Sequence, residues 1–394
     1  MNLIPLVAGS ALAAASLNAQ SARPIATYPF VLEDDHVVID ASINGRPGRF
    51  VLDSGSGAAA IASSFAEGLN LNLSETPATT SGAGRSATQA RMGRASEVTI
   101  GPLVLANVRV VVLSNNPFKG LGRALDGTLG YEVFAKWTVT IDFANKTLTF
   151  FEPSTWVPSD SGVNITVDVS KRIPFAAVEI KAAPDAAPVI AKVMVDTGTP
   201  TFPFVLSSGF AARAGLDHIE ARREAVLGFG TNGIVMGDIL RVPEASFHGL
   251  LLRDAVVGIS KDKTGFFASG IADGTVGQAL FRRGRLTLDY AHNRISFEPG
   301  KNFDDPWAYP DHCGWVLGKD SGGDWTLLHV GEGTPAEEAG LAVGDKLIEL
   351  DGQLLAPLNR EQLREICIGE GLLSGKSVRR AERRQFELKR RKLI

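Results

Sequence analysis

Alternation of apolar and polar residues runs through most of the chain from residue 25 to residue 300. Runs such as HVVIDASI, EVTIGPLVLANVRVVVL and WTVTIDF place apolar residues at every second position and are separated by clusters of Gly, Asn and Pro. This pattern predicts short antiparallel strands. One helix in each half is expected around SSFAEGL and SSGFAARAGL, where Ser63 or Ser64 and Ser207 or Ser208 would supply the N-cap. The chain is therefore predicted to be mostly β.

The strand pattern contains a duplicated polar element. FVLDSGSGAAAIASS (50–64) ends an apolar run on Asp53 and continues with Ser-Gly-Ser, and VMVDTGTPTFPFVLSS (193–208) repeats the pattern at Asp196. Farther along, DGTLGYEVFAKWTVTIDFANKTLTFFEP (126–153) matches DGTVGQALFRRGRLTLDYAHNRISFEP (273–299). Because both blocks recur in one order at nearly one spacing, the sequence predicts two homologous lobes.

The sequences D-S-G-S (53–56) and D-T-G-T (196–199) are each followed by an apolar residue and a glycine, at Leu129-Gly130 and Val276-Gly277. This arrangement resembles the pepsin and retropepsin class of aspartic proteases, and the resemblance covers residues 25–300. It implies two closed β-barrel-like lobes, with Asp53 and Asp196 as the catalytic pair. The residues that it implies as support for this pair are Ser54, Gly55, Ser56, Thr197, Gly198 and Thr199.

The resemblance also implies a role for each supporting residue. The hydroxyls of Ser54 and Thr197 would brace the two loops, and those of Ser56 and Thr199 would bond the outer carboxylate oxygens. Gly55 and Gly198 would make room for a tight turn, because glycine has no side chain to obstruct it. Residues 79–93, which are rich in Gly, Ser and Ala, would form a flap without the tyrosine that pepsins carry there. The lobes are therefore closer to a duplicated retropepsin-like half.

Two carboxylic acids facing each other suit peptide hydrolysis without a cofactor. Two carboxylates at close range cannot both ionise, so the pair would share one proton. The ionised member would activate a water molecule while the protonated member polarises the scissile carbonyl. The alternative is an exported peptide-binding or scaffolding protein whose aspartates only form turns. The two intact D-[ST]-G-[ST] sequences favour an aspartic endopeptidase, because binding alone would not require them.

Other signatures of chemistry are weak or absent. Gly82 to Ala87 superficially fits a dinucleotide fingerprint, but a glycine-rich hairpin is favoured because no βαβ unit surrounds it. Asp126 and Asp273 are interpreted as turn residues. The six histidines are scattered without metal-ligand spacing, and the chain has no G-x-S-x-G elbow. We therefore expect no cofactor and no metal.

The repeat ends near residue 300, and residues 301–312 are interpreted as a linker. The following segment is GWVLGKDSGGDWTLLHVGEGTPAEEAGLAVGDKLIELDGQ (314–353). It predicts a short helix with Thr334 as its N-cap, Glu337 in a capping box and Gly340 at its end. Beyond this segment, Asn359 and Gln362 predict the cap of a second helix. This order resembles a PDZ domain and implies a site for the C-terminal tail of a peptide near Cys313 to Val316, where the match is poor. Whether this domain binds a tail or only packs on the protease is open, as is a disulfide between Cys313 and Cys367.

The predicted boundaries are a signal peptide at 1–22, an N-terminal lobe at 23–158, a C-terminal lobe at 159–300 and a PDZ-like domain at 301–394. The apolar, Ala-rich start predicts export to a periplasmic or extracellular location and no integral membrane span after signal removal. A formal net charge of −3 gives no reason to expect a nucleic-acid partner. The basic segment VRRAERRQFELKRRKLI is interpreted as a charged edge strand rather than as a site for an anionic partner. The expected partners are extended peptide or protein substrates.

Overall fold

The computed structural model describes residues 23–80, 82–86, 88–117, 125–219, 222–309, 311–320 and 322–394. The predicted signal peptide, 1–22, lies outside the described residues. We call residues 23–158 lobe one, residues 159–300 lobe two and residues 301–394 the C-terminal module. No described helix is long and apolar enough to cross a membrane.

Lobe one consists of eleven described strands and two short helices. They are β1 (Ala26–Pro29), β2 (Val31–Glu33), β3 (His36–Ile43), β4 (Arg46–Leu52), β5 (Ala59–Ala62), α1 (Ser63–Ala66), β6 (Ala78–Thr79), β7 (Gln89–Ile100), β8 (Leu103–Leu113), β9 (Gly127–Leu129), α2 (Tyr131–Lys136), β10 (Thr138–Asp142) and β11 (Thr147–Phe151).

Lobe two has the same plan. Its elements are β12 (Val163–Thr166), β13 (Phe175–Lys181), β14 (Val189–Asp196), β15 (Phe204–Ser207), α3 (Ser208–Ala214), β16 (Arg222–Gly230), β17 (Gly233–Phe247), β18 (Leu250–Ser260), β19 (Gly274–Gly277), α4 (Gln278–Phe281), β20 (Gly284–Asp289) and β21 (Arg294–Pro299). Single 3-10 turns cover Leu216–His218, Phe266–Ala268 and Tyr290–His292.

Strand order shows the duplication directly. The lobe-one sheet runs β2-β3-β4-β9-β5-β8-β7-β6, and the lobe-two sheet runs β13-β14-β19-β15-β18-β17-β16. Strand β3 also pairs with β7, and β13 pairs with β17, so each sheet closes into a ring of six equivalent strands. The mostly β fold with two homologous closed lobes is thus confirmed.

A third sheet joins the lobes, with the order β1-β11-β10-β20-β21-β12. Its central pair comes from both lobes, because β10 runs antiparallel to β20 with Val139 opposite Leu288. Threonine hydroxyls also meet across this pair, with Thr140 Oγ1 2.8 Å from Thr287 Oγ1. The apolar side chains of this sheet belong to one continuous core with those of both lobes, so the lobes form a single packed body.

The helix predictions hold in part. Ser207 is the N-cap of α3, and its hydroxyl accepts a hydrogen bond from Phe210 N at 3.2 Å. In lobe one the predicted serine cap is wrong: α1 begins after Ala62, which has no hydroxyl to cap it. Helices α2 and α4 were not predicted, because four to six residues contain too few turns to show a helical period.

The C-terminal module has its own sheet and its own buried core. It contains β22 (Trp315–Lys319), β23 (Trp325–Val330), α5 (Pro335–Glu338), β24 (Lys346–Leu350), β25 (Gln353–Leu354), α6 (Arg360–Cys367), β26 (Gly371–Arg379) and β27 (Glu382–Arg390). Thr334 and Asn359 cap α5 and α6 as predicted, and Asn359 and Gln362 form a complete capping box. The capping box predicted with Glu337 is not formed, because Glu337 Oε2 accepts from Gly333 N and not from the amide of the cap residue Thr334. The basic segment ends the chain as β27, at the edge of this sheet, as predicted.

The module contacts both lobes. Arg360 and Arg364 on α6 form ion pairs with Asp34 and Asp35 in the turn between β2 and β3, at 2.8 Å and 2.6 Å. On the other side, Arg223 Nε donates to Leu393 O at 3.2 Å. The α6 helix is therefore fixed to lobe one, while the chain end is fixed to lobe two.

The interpretation of residues 301–312 as a linker misses two aromatic contacts. Trp307 lies beneath the guanidinium of Arg283, which is 3.4 Å from its ring centroid. Tyr309 stacks on Phe202 with ring centroids 5.9 Å apart. This segment is packed against lobe two. Its mixture of Pro, Asp and single aromatics has no strand or helix period, which is why its burial does not show in the sequence.

Candidate active site

Asp53 and Asp196 lie at equivalent places in the two lobes. Asp53 directly follows β4, and Asp196 is the last residue of β14. Each of these strands forms a parallel ladder with the strand behind it, β9 or β19, so the aspartate emerges from the centre of a closed sheet. The loops after the two strands meet at the interface between the lobes, as the sequence predicts.

The two carboxyl groups lie close together where the loops meet, since a Cβ atom on Gly55 would be within 3.2 Å of both Asp53 Oδ1 and Asp196 Oδ1. Gly55 N donates to Asp53 Oδ1 and Gly198 N donates to Asp196 Oδ1, each at 2.8 Å. Each glycine faces the opposite carboxyl group: a Cβ atom on Gly55 would lie 2.7 Å from Asp196 Oδ1, and one on Gly198 would lie 2.8 Å from Asp53 Cγ. Glycine is required at both positions because any side chain would occupy the space of a carboxyl group.

Ser54 and Thr197 brace the two loops through four hydrogen bonds. The hydroxyl of each accepts from the amide of the other at 3.0 Å. Each hydroxyl also donates across the interface, Ser54 to Val195 O at 2.8 Å and Thr197 to Leu52 O at 3.0 Å. Both residues are 0% exposed, and the amide and hydroxyl of each are paired inside the protein. The brace fixes the distance between the two aspartates.

The second repeated element packs behind the loops. Asp53 N donates to Leu129 O at 2.8 Å, and Gln278 N, next to Gly277, donates to Thr199 O at 2.7 Å. Asp126 and Asp273 lie at the start of this element, and their carboxylates accept from Arg49 N and Lys192 N. Each carboxylate is therefore bonded to the backbone of a neighbouring strand, and each Asp-Gly leads directly into a strand, β9 or β19.

The supporting hydroxyls are not symmetrical. Thr199 Oγ1 donates to Asp196 Oδ2 at 2.8 Å, as the resemblance implies. Ser56 Oγ instead donates to Ala58 O at 2.7 Å and lies 3.2 Å from Thr128 Oγ1, so the implied bond from Ser56 to Asp53 is not formed. Serine can rotate its single hydroxyl toward a local carbonyl, and the sequence does not show which partner it takes.

The environment raises the pKa of both aspartates, but unequally. Burial is the largest cause at each, and the charge of Asp196 raises the pKa of Asp53 further, to well above its usual range. At Asp196, hydrogen bonds from Thr199 and Gly198 offset part of the burial and lower the pKa. The additional hydrogen bond from the Thr199 hydroxyl therefore favours the negative charge on Asp196 and the shared proton on Asp53.

Tyr290 is a residue of the site that the sequence analysis missed. It follows β20, is buried, and lies beneath the loops with its hydroxyl 3.4 Å from Ser54 O. Burial and the two nearby aspartates raise the pKa of Tyr290 well above its usual range, so its hydroxyl stays neutral. The repeat aligns Tyr290 with Phe143 of lobe one. The sequence thus shows tyrosine in one lobe where the other has phenylalanine, but it does not show that the tyrosine hydroxyl reaches Ser54 O.

Two hairpins cover the pair. The first connects β6 to β7, and residues 82–86 at its tip touch the tip of the β16–β17 hairpin of lobe two. The flap expected in lobe one is thus a hairpin, but it has a partner that the sequence analysis did not predict. The tips approach so closely that a Cβ atom on Gly82 would overlap the side chain of Thr231 and one on Gly84 would overlap the backbone of Asn232.

Asn232 joins the two hairpins. Its side chain is 3% exposed and donates from Nδ2 to Thr80 O and Gly82 O at 3.3 Å and 3.0 Å. Its Oδ1 accepts from Thr80 Oγ1 at 2.5 Å and from Thr88 N at 3.3 Å. All four hydrogen-bonding positions of the amide are therefore used to hold the hairpins together.

We expect Asn232→Ala to weaken the closed arrangement, because four side-chain hydrogen bonds between the hairpins are lost while the backbone bonds remain. The expected result is an increase in KM of about tenfold and faster proteolytic nicking within residues 82–86. Asn232→Asp, which keeps the acceptor but points a carboxylate oxygen at Thr80 O and Gly82 O, should weaken the closed arrangement at least as much as Asn232→Ala. Asn164→Ala, at an exposed strand position, is the control. Unchanged KM and nicking in Asn232→Ala would show that the amide does not hold the hairpins.

The hairpins enclose a cleft of about 520 Å³. Its floor carries the aspartates, and its walls are mostly apolar. Lobe one contributes Val51, Ala60, Ala90, Met92, Val111 and Leu113, and lobe two contributes Met194, Val205, Leu227, Phe229, Phe266 and Phe267. The wall of lobe two is the more aromatic. A cleft with apolar walls and one central pair of acids suits an extended chain whose apolar side chains flank the reacting bond.

The raised pKa of Asp53 predicts an effect on stability. The folded protein holds this carboxyl neutral at pH values where the unfolded chain has ionised it, so the folded state binds more protons and stability falls as pH rises above about 4. Asp53→Asn should therefore raise Tm at pH 7 by at least about 2 °C, and the gain should shrink as pH is lowered toward 4. Thermal unfolding at several pH values tests this, with the exposed Asp185→Asn as control. A constant or negative shift would contradict the raised pKa.

No cluster of potential metal ligands occurs among the described residues. The glycine-rich stretch that superficially fits a nucleotide fingerprint is the tip of the first hairpin, and no helix follows it in the described residues.

Comparison with known proteins gives a family match within lobe one. Residues 39–133 match a protein-family model for aspartyl proteases, a range that contains Asp53, the first hairpin and Leu129-Gly130. A comparison with curated proteins gives no match. Among solved structures, the chain is similar to the aspartic proteinase from Irpex lacteus, with a TM-score of 0.48, 12% identity and coverage of 71% of this chain and 98% of that chain. The sequence of lobe one is thus similar to that of aspartyl proteases.

Proposed function

We propose that this protein is an aspartic endopeptidase in which Asp53 and Asp196 activate water for the hydrolysis of peptide bonds. The observation that carries the proposal is the pair of half-buried carboxyl groups that meet beside the loop glycines at the floor of the cleft. The family match over residues 39–133 supports it. Because both aspartates belong to one chain, a monomer is sufficient for catalysis.

The shared proton gives each aspartate a separate task. Asp196 has the larger number of donors and is the ionised member, so it takes a proton from the attacking water. Asp53 carries the proton and donates a hydrogen bond to the scissile carbonyl. The water oxygen then bonds to the carbonyl carbon, and the C–N bond breaks as a proton passes to the leaving amine. The pair ends with one proton, as it began.

The brace and the glycines keep this geometry fixed before substrate arrives. Ser54 and Thr197 hold the loops in register, and the joined hairpins cover the cleft. Preorganised groups cost no rearrangement at the moment of reaction, which is where catalysis of this kind gains most of its rate.

Incubation of the purified protein with a peptide library at acidic to neutral pH tests the proposal. Cleavage should occur within peptides, next to apolar residues, and a statine-type transition-state analogue should block it. Rate should fall at high pH, where Asp53 loses its proton, and at low pH, where Asp196 gains one. Peptide binding without cleavage across this range would favour the non-catalytic scaffolding alternative.

We propose further that residues 301–394 form a PDZ-like domain that adjusts substrate binding and supplies no catalytic group. Its order of strands and capped helices and its position beside the cleft support this. Cys313 and Cys367 are both buried free thiols in the structure, with Cys313 Sγ 3.5 Å from Cys367 O. No disulfide is needed for this arrangement.

Export is also a proposal, supported by the apolar, Ala-rich residues 1–22. The mature protein should begin near residues 20–23 and be recovered outside the cytoplasm. N-terminal sequencing of protein from the native host, after fractionation, measures both. A chain that retains Met1 and is found in the cytosolic fraction would contradict the proposal.

A further inference from the structure

A groove of about 180 Å³ lies between β22 and α6 of the C-terminal module. Trp315, Val316 and Leu317 form one wall, and Leu363 on α6 forms the other. Strand β22 pairs only with β23 among the described residues, so its second edge faces this groove. An unpaired strand edge beside an apolar wall is a place where an extended peptide can add.

The end of this groove already contains a carboxylate. Asp311 Oδ1 accepts hydrogen bonds from Cys313 N at 2.8 Å and from Gly314 N at 2.9 Å. Two successive amides pointing at one acceptor form an anion-binding site. In this protein the anion is the chain's own side chain.

The middle of the strand edge is partly occupied as well. Arg360 Nη1 donates to Leu317 O at 2.6 Å, and the same guanidinium is held by Asp34 at 2.8 Å. A peptide that adds to β22 would therefore find some of the backbone groups already bonded. Recognition in this groove has to depend mainly on side chains that enter the space around Val316 and Leu363.

The groove is continuous with the catalytic cleft. His36, Pro200 and the segment from Leu227 to Phe229 line both spaces. An extended chain that leaves the cleft along this segment passes directly into the groove. The volume of the groove accommodates one or two side chains of such a chain.

We propose that the groove binds an internal segment of the same polypeptide whose scissile bond lies at the aspartates, and that it does not bind a free C-terminal carboxylate. This inference rests on the proposed function. A terminal carboxylate would have to displace Asp311 or lie beside it as a second negative charge, which is unfavourable away from water. An internal segment brings no charge to the amides and needs no displacement.

The test compares two fluorogenic substrates with one common cleaved hexapeptide core, one short and one extended by about eight residues on each side. Val316→Arg should lower kcat/KM for the extended substrate by about tenfold, because it fills the groove with a charge, and should leave the short substrate within about twofold. Val343→Arg, the same change at an exposed position of the module, is the matched control. Equal losses on both substrates would overturn the inference.

The second comparison concerns the carboxylate. Extended substrates with a free or an amidated C-terminus should be cleaved at the same rate by the wild-type protein, whereas a tenfold preference for the free acid would overturn the inference. Asp311→Ala frees the two amides, so this variant should acquire a preference for the free acid. If folded Asp311→Ala shows none, Asp311 is not the excluding group.

Failure of the proposed function remains distinguishable from failure of this inference. Fluorescence polarisation with Asp53→Asn measures binding of the same peptides without cleavage. Weaker binding of the extended peptide to Asp53→Asn/Val316→Arg than to Asp53→Asn would support the groove even if the wild-type protein cleaved neither substrate. Equal binding to the two variants would overturn the groove assignment whether or not cleavage occurs.

Discussion

Asp53→Asn and Asp196→Asn should each lower kcat for peptide hydrolysis by at least about 10³-fold without unfolding the protein. Asparagine has nearly the shape of aspartate and preserves the bond from Gly55 N or Gly198 N. It can neither share the proton nor become the base, so water activation and carbonyl polarisation no longer occur together. The measurement is steady-state hydrolysis of a peptide substrate, with folding checked by thermal unfolding.

The matched control is Asp185→Asn, at an exposed position of lobe two. It makes the same chemical change away from the cleft and should keep full activity. A substitution at Asp53 or Asp196 that retains near wild-type turnover in protein free of contaminating protease would contradict the two-carboxylate mechanism.

Gly55→Ala and Gly198→Ala should reduce activity by about 10²-fold or more, because a displacement of reacting groups by about 1 Å has an effect of this size. The added methyl group would lie within 2.7 Å of Asp196 Oδ1 or within 2.8 Å of Asp53 Cγ. The backbone cannot retreat, since the brace of Ser54 and Thr197 fixes both loops. The aspartates therefore have to separate.

Gly209→Ala is the control for these substitutions. A Cβ atom there would meet nothing closer than Ser207 Oγ at 4.0 Å, and alanine is favoured over glycine in a helix such as α3. Its activity should be unchanged and its Tm equal or higher. Full activity in Gly55→Ala or Gly198→Ala would mean that the carboxyl groups are not held as closely as the structure shows.

The hydroxyls of Ser56 and Thr199 take different partners, so the two aspartates of the duplicated site are not equivalent. Two copies of one loop would make equivalent aspartates, and the sequences D-S-G-S and D-T-G-T suggest that equivalence. The structure breaks it, because Thr199 donates to Asp196 while Ser56 bonds to Ala58 O. A single hydroxyl on one side is sufficient to bias where the shared proton rests.

The sequence by itself determined the duplication, the mostly β lobes and the two D-[ST]-G-[ST] loops. These features are local: strand alternation has a period of two residues, and each loop is written in four consecutive positions. The capped helices of the C-terminal module, α5 and α6, were predictable for the same reason, since a cap and its partner lie three residues apart.

Only the tertiary structure decided which distant groups meet. Asn232 bonds to Thr80 and Thr88, and Tyr290 reaches Ser54 O, although these partners lie far apart in the chain. Asp311 is close in sequence to the amides that donate to it. Its proposed effect on peptide binding, however, depends on α6 and the cleft beside the groove. The physical reason is that such contacts depend on how closed sheets pack, and no local pattern in a single sequence encodes that packing.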